Sequence, residues 1–169
     1  KLVTAFFDTV NSSLFEAAEK ATTNTQQSAF FGAMNELFSD QSKLGSRIIE
    51  DLEQGFGVLD KVGYRPPPIA PGEDSSEGLS LVGEQEFDNW LVVRSIASKI
   101  EGNLAEERDA LETRFASIAA NHVDKESNPV GPLRVVTVFS HTLDALLLED
   151  VAKKAIYLVM EAVLETHLE

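Results

Sequence analysis

The chain has 169 residues, 43% of them hydrophobic, and carries 28 acidic against 14 basic side chains for a formal net charge of -14. This charge repels nucleic-acid phosphates and anionic lipid headgroups, so we expect neither as a partner. The absence of cysteine excludes disulfides and thiolate metal sites and is typical of a reducing compartment, which favours a cytoplasmic location. No apolar run approaches the roughly 20 residues that span a bilayer, so no membrane insertion is expected.

The six prolines fall in two short stretches, at 66–71 and 129–132, and the chain outside them has amphipathic helical spacing. The first helix is predicted over 2–21, because Phe6, Val10 and Leu14 recur at four-residue steps. Polar cap and turn formers follow it, and Asn24 or Thr25 is expected to cap the next helix.

The second predicted helix is about thirty residues long and weakens near Gly55. It carries an approximate heptad seam made of Phe30, Met34, Leu37, Leu44, Ile48 and Leu52. A segment rich in proline and acid follows at 64–80, where we expect a flexible loop. Its start, with Tyr64, Arg65 and Pro68, either docks an aromatic-lined groove as polyproline or acts as a stiff spacer between helices.

The third predicted helix spans 84–118, with a possible kink at Gly102-Asn103, and is expected to lie antiparallel to the second. Trp90 lies near its start. This tryptophan either anchors the end of the helical pair or remains partly exposed as a contact residue.

Two further helices are predicted, over 132–147 and 149–167, with Pro132 at the first position of the former. The break between them has no glycine or proline, so a single long helix is the alternative. These elements predict an all-α bundle of about five helices around a long antiparallel pair, within one domain over 1–169. The first residue is not methionine, and we expect a fragment of a longer protein.

Recognisable chemistry is missing from the pattern. The chain has no pair of Glu-x-x-His ligands, no Gly-x-Ser-x-Gly elbow and no phosphate-binding glycine loop. The three histidines are interpreted as solvent-facing or structural, and adjacent acids such as Glu106-Glu107 as a solvated face. We therefore expect no enzyme, no cofactor, no metal site and no small-molecule ligand in this segment.

Four stretches carry a family resemblance: residues 14–27, which read LFEAAEKATTNTQQ; Phe30-Phe31-Gly32-Ala33-Met34; Leu79-Ser80-Leu81-Val82 before an acidic helix start; and Asn128-Pro129-Val130-Gly131-Pro132 before a helix. In these the chain resembles a bacterial family of large proteins of unknown function, sometimes mislabelled thymidine phosphorylase. Some members end in a region that resembles PilZ domains, which bind cyclic di-GMP. The resemblance implies no catalytic residue.

The sequence thus favours a non-catalytic helical module that binds a protein partner or a second copy of itself. The expected contacts are incompletely buried helical faces, around Phe56, Leu59 and Val62 or around 146–148, with Leu147 as the representative residue. The alternative is an adaptor segment of a cyclic-dinucleotide signalling protein whose nucleotide site lies outside this chain.

Overall fold

The computed structural model describes residues 1–60, 84–119, 122–123 and 127–168, with 84–87 and 168 described by their backbone alone. Within this part of the chain every regular element is an α-helix. The helices are α1 (Leu2–Glu19), α2 (Asn24–Ser39), α3 (Gln41–Gly55), α4 (Gly57–Asp60), α5 (Glu84–Asn103), α6 (Ala105–Ile118), α7 (Pro132–Asp144) and α8 (Asp150–Leu168). The predicted all-α class is confirmed. The predicted loop at 64–80 lies outside the described residues.

The described residues form more helices than the predicted five, because both long predicted helices are divided and the short α4 follows α3. The second is interrupted at Asp40, with φ -126° and ψ 25°, and the third at Leu104, with φ -111° and ψ 24°. Both backbones have left the α-helical region. The break at Leu104 directly follows Gly102-Asn103, where a kink was expected, whereas no glycine or proline marks the break at Asp40.

The N-terminus of α2 is one residue earlier than predicted. Thr23 is the N-cap, in place of Asn24 or Thr25, and its side-chain oxygen accepts a hydrogen bond of 3.2 Å from the backbone amide of Gln26. Thr23 has an extended backbone, φ -135° and ψ 150°, which is the conformation that an N-cap requires. At the other end of the chain, α7 begins at Pro132 as predicted, and α7 and α8 are separate helices.

The chain divides into two compact units, one made of Lys1–Ile49 with Phe139–Glu169 and the other of Glu50–Val138. In the first unit α1 packs against α2 and α8, and α2 also packs against α8. The three helices bury the apolar stripes that their spacing predicted, including Val10, Leu14, Leu37, Ile156 and Val163. The antiparallel pairing of the two long predicted helices, and a single domain over 1–169, stay predictions.

An aromatic cluster lies in the core of the first unit. The Phe6 ring makes edge contacts with Phe7, at a centroid distance of 5.4 Å, and with Phe139, at 5.0 Å. Phe7 also meets Phe38 at 6.5 Å. Such edge-to-face pairs add about 0.5–1.5 kcal/mol each to the gain from burial. Of the six phenylalanines between 6 and 38, however, Phe15 and Phe31 are 48% and 45% exposed, so these six side chains belong to the core only in part.

The second unit holds a buried arginine at the end of α3. Arg134, 5% exposed on α7, donates a hydrogen bond of 3.2 Å from Nη2 to the backbone carbonyl of Asp51. A cation near the C-terminus of a helix is favourable because this end of the helix dipole is negative. Gly55 packs against this side chain, and a Cβ at this position would lie 3.4 Å from Arg134 Nε.

Candidate interaction surface

The predicted contact residues fall in three places. Tyr64, Arg65 and Pro68 lie outside the described residues. Leu147 belongs to the first compact unit and Trp90 to the second. Leu147 is 90% exposed, and Trp90 is half-buried.

Leu147 lies in the short connection between α7 and α8. The predicted helical face at 146–148 is therefore wrong, because α7 ends at Asp144 and α8 begins at Asp150. The backbone turns here: the amide of Leu146 donates to the carbonyl of Leu143 at 3.1 Å, and that of Leu148 to the carbonyl of Leu146 at 3.0 Å. Leu146 and Leu148 are half-buried on either side of the exposed leucine.

The connection is fastened at both ends. Asp144, the last residue of α7, forms an ion pair with Lys153 in the first turn of α8, and the Lys153 side chain is only 15% exposed. The carbonyl of Glu149 accepts hydrogen bonds from the amides of Ala152, at 3.0 Å, and Lys153, at 2.9 Å, and so starts α8. Leu147 thus extends into solvent from a closed turn of five residues, 145–149.

Trp90 lies on α5 beneath a cation. The guanidinium carbon of Arg94, one helical turn further on, is 5.4 Å from the centroid of the indole ring. A cation–π contact at such a site contributes about 0.5–1 kcal/mol. The next two residues, Leu91 and Val92, are 46% and 39% exposed. This part of α5 therefore has one half-covered aromatic ring beside two apolar side chains in contact with water.

The other predicted apolar face is only partly described. Phe56, between α3 and α4, is 41% exposed, and Leu59 on α4 is half-buried. Val62 lies outside the described residues. Phe56 caps the end of α3, since its amide donates to the carbonyl of Glu53 at 3.1 Å. Its exposure agrees with the prediction that burial around it is incomplete.

The histidines and several acidic side chains of the described residues lie at the surface. His122, His141 and His167 are all exposed, as predicted. Glu106, Glu107, Glu149 and Asp150 are exposed as well. Among the described residues no three or more histidines and carboxylates come together where they could hold a metal ion.

The sequence pattern did not identify a buried pair of hydroxyls in the first unit. Ser140 on α7 and Tyr157 on α8 share a hydrogen bond of 2.8 Å, and both are at most 5% exposed. Burial raises the pKa of Tyr157 to about 12, and the hydrogen bond with Ser140 opposes this rise. Both residues lie on otherwise apolar helix faces, and this position was the feature of the sequence that could have indicated their burial. Each hydroxyl is the hydrogen-bond partner of the other, and the pair stabilises the contact between α7 and α8.

In the described ranges, no helix combines the length and the apolar character that crossing a bilayer requires.

One known protein family matches the whole chain. Residues 1–169 match the family described as "Protein of unknown function (DUF1631) N-terminal domain". The chain belongs to this family, and the expectation of a family of unknown function is confirmed. No curated protein and no solved structure matches the chain.

Proposed function

We propose that this chain is a non-catalytic, protein-binding helical module of a bacterial cytoplasmic protein, with Leu147 as a contact residue. The observation that carries the proposal is the 90% exposure of Leu147 on a fastened turn. A leucine on a flexible tail would lose conformational entropy on binding. Here the ion pair between Asp144 and Lys153 and the backbone hydrogen bonds have already restricted the turn, which lowers that cost.

The energy available from this residue sets the scale of the effect. Complete burial of a leucine side chain contributes about 1.5–3 kcal/mol. An exposed apolar residue alone is common on protein surfaces, so a stable complex needs further contacts around it. The half-buried Leu146 and Leu148 provide apolar surface beside it. We expect the loss of Leu147 to weaken a complex by about tenfold or more.

The test compares Leu147→Glu with a matched variant, Leu158→Glu. Leu158 is 68% exposed on α8, in the same compact unit, so it receives the same substitution on the same scaffold. Sedimentation velocity over a concentration series measures self-association, and affinity capture with the full-length protein from its native cells measures a different partner. We expect Leu147→Glu to reduce one of these, and Leu158→Glu to leave it unchanged.

Two results would contradict the proposal. One is association and capture that are identical for wild type and Leu147→Glu, with both proteins equally helical by circular dichroism. The other is turnover by the purified chain in a broad substrate screen, which would show catalysis.

We keep a second proposal, supported by the resemblance to proteins with a PilZ-like region: the chain relays a ligand state that another part of the protein senses. Calorimetry of the full-length protein and of this chain with cyclic di-GMP tests it. We expect heat from the full-length protein and none from the chain alone. Heat from the chain would place a nucleotide site within 1–169 and contradict this assignment.

A further inference from the structure

Helix α6 differs from the other long helices because none of its side chains is buried. Leu111 and Phe115 are half-buried, and Ile118 at its end is 68% exposed. In contrast, the preceding helix α5 buries Val93, Ile96, Ala97 and Ile100. α6 therefore presents apolar side chains that the described fold covers only in part.

These side chains form a regular seam. Arg108, Leu111, Phe115 and Ile118 follow one another at steps of three, four and three residues, and Leu104 continues the pattern toward the N-terminus. Alternating steps of three and four place the residues on one side of a helix, as the core positions of a coiled coil. α6 has 14 residues and is about 21 Å long. The seam fits one partner helix of similar length.

The charges beside the seam favour a second copy in the antiparallel direction. Glu107 and Arg114 flank one side of the seam, and Glu112 flanks the other. In a parallel pair, Glu107 would face Glu112 of the second copy, which places like charges together. In an antiparallel pair, Glu107 of each copy faces Arg114 of the other. The two-fold symmetry of such a pair makes the favourable contact twice.

Arg108 is the one charged residue in the seam, and the helix already neutralises it. Its Nη2 donates to Asp109 Oδ1 at 2.7 Å, and its Nε lies 3.7 Å from Glu112 Oε1. The aliphatic part of an arginine can cover apolar surface while its head remains with these carboxylates. In the antiparallel register this part packs beside Leu111 of the second copy. A polar core position fixes the register of a coiled coil and weakens it.

We propose that α6 pairs antiparallel with α6 of a second copy of this chain, through the seam formed by Leu104, Arg108, Leu111, Phe115 and Ile118. The inference rests on the proposed function, since it treats the chain as an interaction module, and it names the partner and a surface separate from Leu147. Two helices of about 21 Å bury less than the roughly 1,200 Å² of a standard interface, so the dimer is weak and reversible. The net charge of -14 on each copy repels at long range, and about 0.15 M salt screens this beyond about 8 Å.

Sedimentation equilibrium of the full chain, from micromolar to millimolar concentration in physiological salt, tests the pairing. We expect the average mass of the wild type to rise toward that of a dimer. Leu111→Asp removes an apolar seam residue and should keep the chain monomeric. Glu107→Arg places a second positive charge against Arg114 of the other copy and should weaken the dimer about tenfold. The double variant Glu107→Arg with Arg114→Glu exchanges the charges and should restore the dimer.

Glu106→Arg is the matched control for Glu107→Arg. Glu106 is exposed on α6 and lies about 100° around the helix from Glu107, away from the seam. Its charge reversal changes the net charge by the same amount and should leave the association close to that of the wild type. Circular dichroism of each variant establishes that the helices are intact, and the charge-exchange variants test the pairing even if Leu111→Asp unfolds.

Three outcomes would overturn the inference. A monomer at every concentration excludes the pair. A dimer that Glu107→Arg strengthens would be parallel. A dimer that Leu147→Glu dissolves and the α6 variants leave intact would support the proposed function and place the interface elsewhere. Conversely, loss of the dimer with Leu111→Asp and none with Leu147→Glu would support the pair, and capture of a different partner would then decide whether Leu147 is a contact residue.

Discussion

The hydroxyl groups of Ser140 and Tyr157 lie 2.8 Å apart across the contact between α7 and α8. Both residues are buried, so each hydroxyl has the other as its partner in place of water. The cost of removing one is larger than the gain from the bond, because the remaining hydroxyl would be buried without a partner. Because the Tyr157 hydroxyl of this pair is ionisable, we expect the free energy of unfolding to change with pH in the alkaline range.

We expect stability to fall between pH 10 and 12 as Tyr157 titrates. Its pKa is raised by burial from 10.0 to about 12, so in this interval the folded chain keeps a proton that the unfolded chain has lost. The stabilisation is complete below pH 10 and disappears as the pH rises through about 12. A shift of this size corresponds to roughly 3 kcal/mol. Urea denaturation at a series of pH values measures it.

Tyr157→Phe is the control for that titration. It removes the ionisable group and leaves the Ser140 hydroxyl buried without this partner, so we expect a loss of about 1–3 kcal/mol at neutral pH and a smaller further loss toward pH 12. An alkaline loss of equal size in both proteins would show that other groups cause it.

Phe6→Ala should lower the free energy of unfolding by about 3–5 kcal/mol. Phe6 is 2% exposed and its ring contacts Phe7 and Phe139, so the truncation leaves a cavity in the core of the first unit. Phe15→Ala is the matched variant on the same helix, at a position 48% exposed, and should cost less than about 1 kcal/mol. Equal costs would contradict the description of this core.

Gly32→Ala should stabilise the chain by about 1 kcal/mol. Gly32 is inside α2, and a Cβ there would have no atom within 4 Å, so alanine adds helix propensity without a clash. Gly131→Ala should have the opposite sign, because its Cβ would lie 3.3 Å from both Cβ and the carbonyl oxygen of Asn128 in a buried turn. Thermal unfolding of the two variants beside the wild type checks the difference in sign.

Thr23→Ala should cost about 1 kcal/mol, because it removes the side-chain acceptor for the amide of Gln26 at the start of α2. Thr23→Ser keeps the oxygen and should cost much less. Thr25→Ala, in the exposed first turn of the same helix, tests the predicted alternative cap and should be neutral or slightly stabilising. If Thr25→Ala proves the more costly substitution, the cap assignment is incorrect.

The helical class was predictable because apolar residues recur with helical spacing and prolines are confined to two stretches. Ala152, Ile156, Val159 and Val163 show this best, since they recur at steps of three and four residues on α8 and all four are buried. The position of Pro132 likewise marked the start of α7. Features of this kind depend on residues within one or two helical turns of each other, so the local sequence is enough to predict them.

The break at Asp40 and the exposure of particular side chains were harder to predict. Asp40 ends α2 without glycine or proline; its neighbour Ser39 donates a hydrogen bond to the carbonyl of Glu36, a local alternative to helical bonding. Phe15 has the same apolar character as Leu14, yet one is exposed and the other 1% exposed. The packing of the neighbouring helices decides which of two adjacent apolar side chains is buried. The spacing of residues within one helix does not show that packing.

The partnership of α1 with α8 has a consequence for synthesis on the ribosome. More than a hundred residues separate the two helices, and α8 is made last of the helices described. Until α8 emerges, the apolar side chains of α1 and α2 that pack against it remain exposed to solvent in the nascent chain. We expect chaperones to bind this stretch during translation, and truncated products that lack α8 to be prone to aggregation.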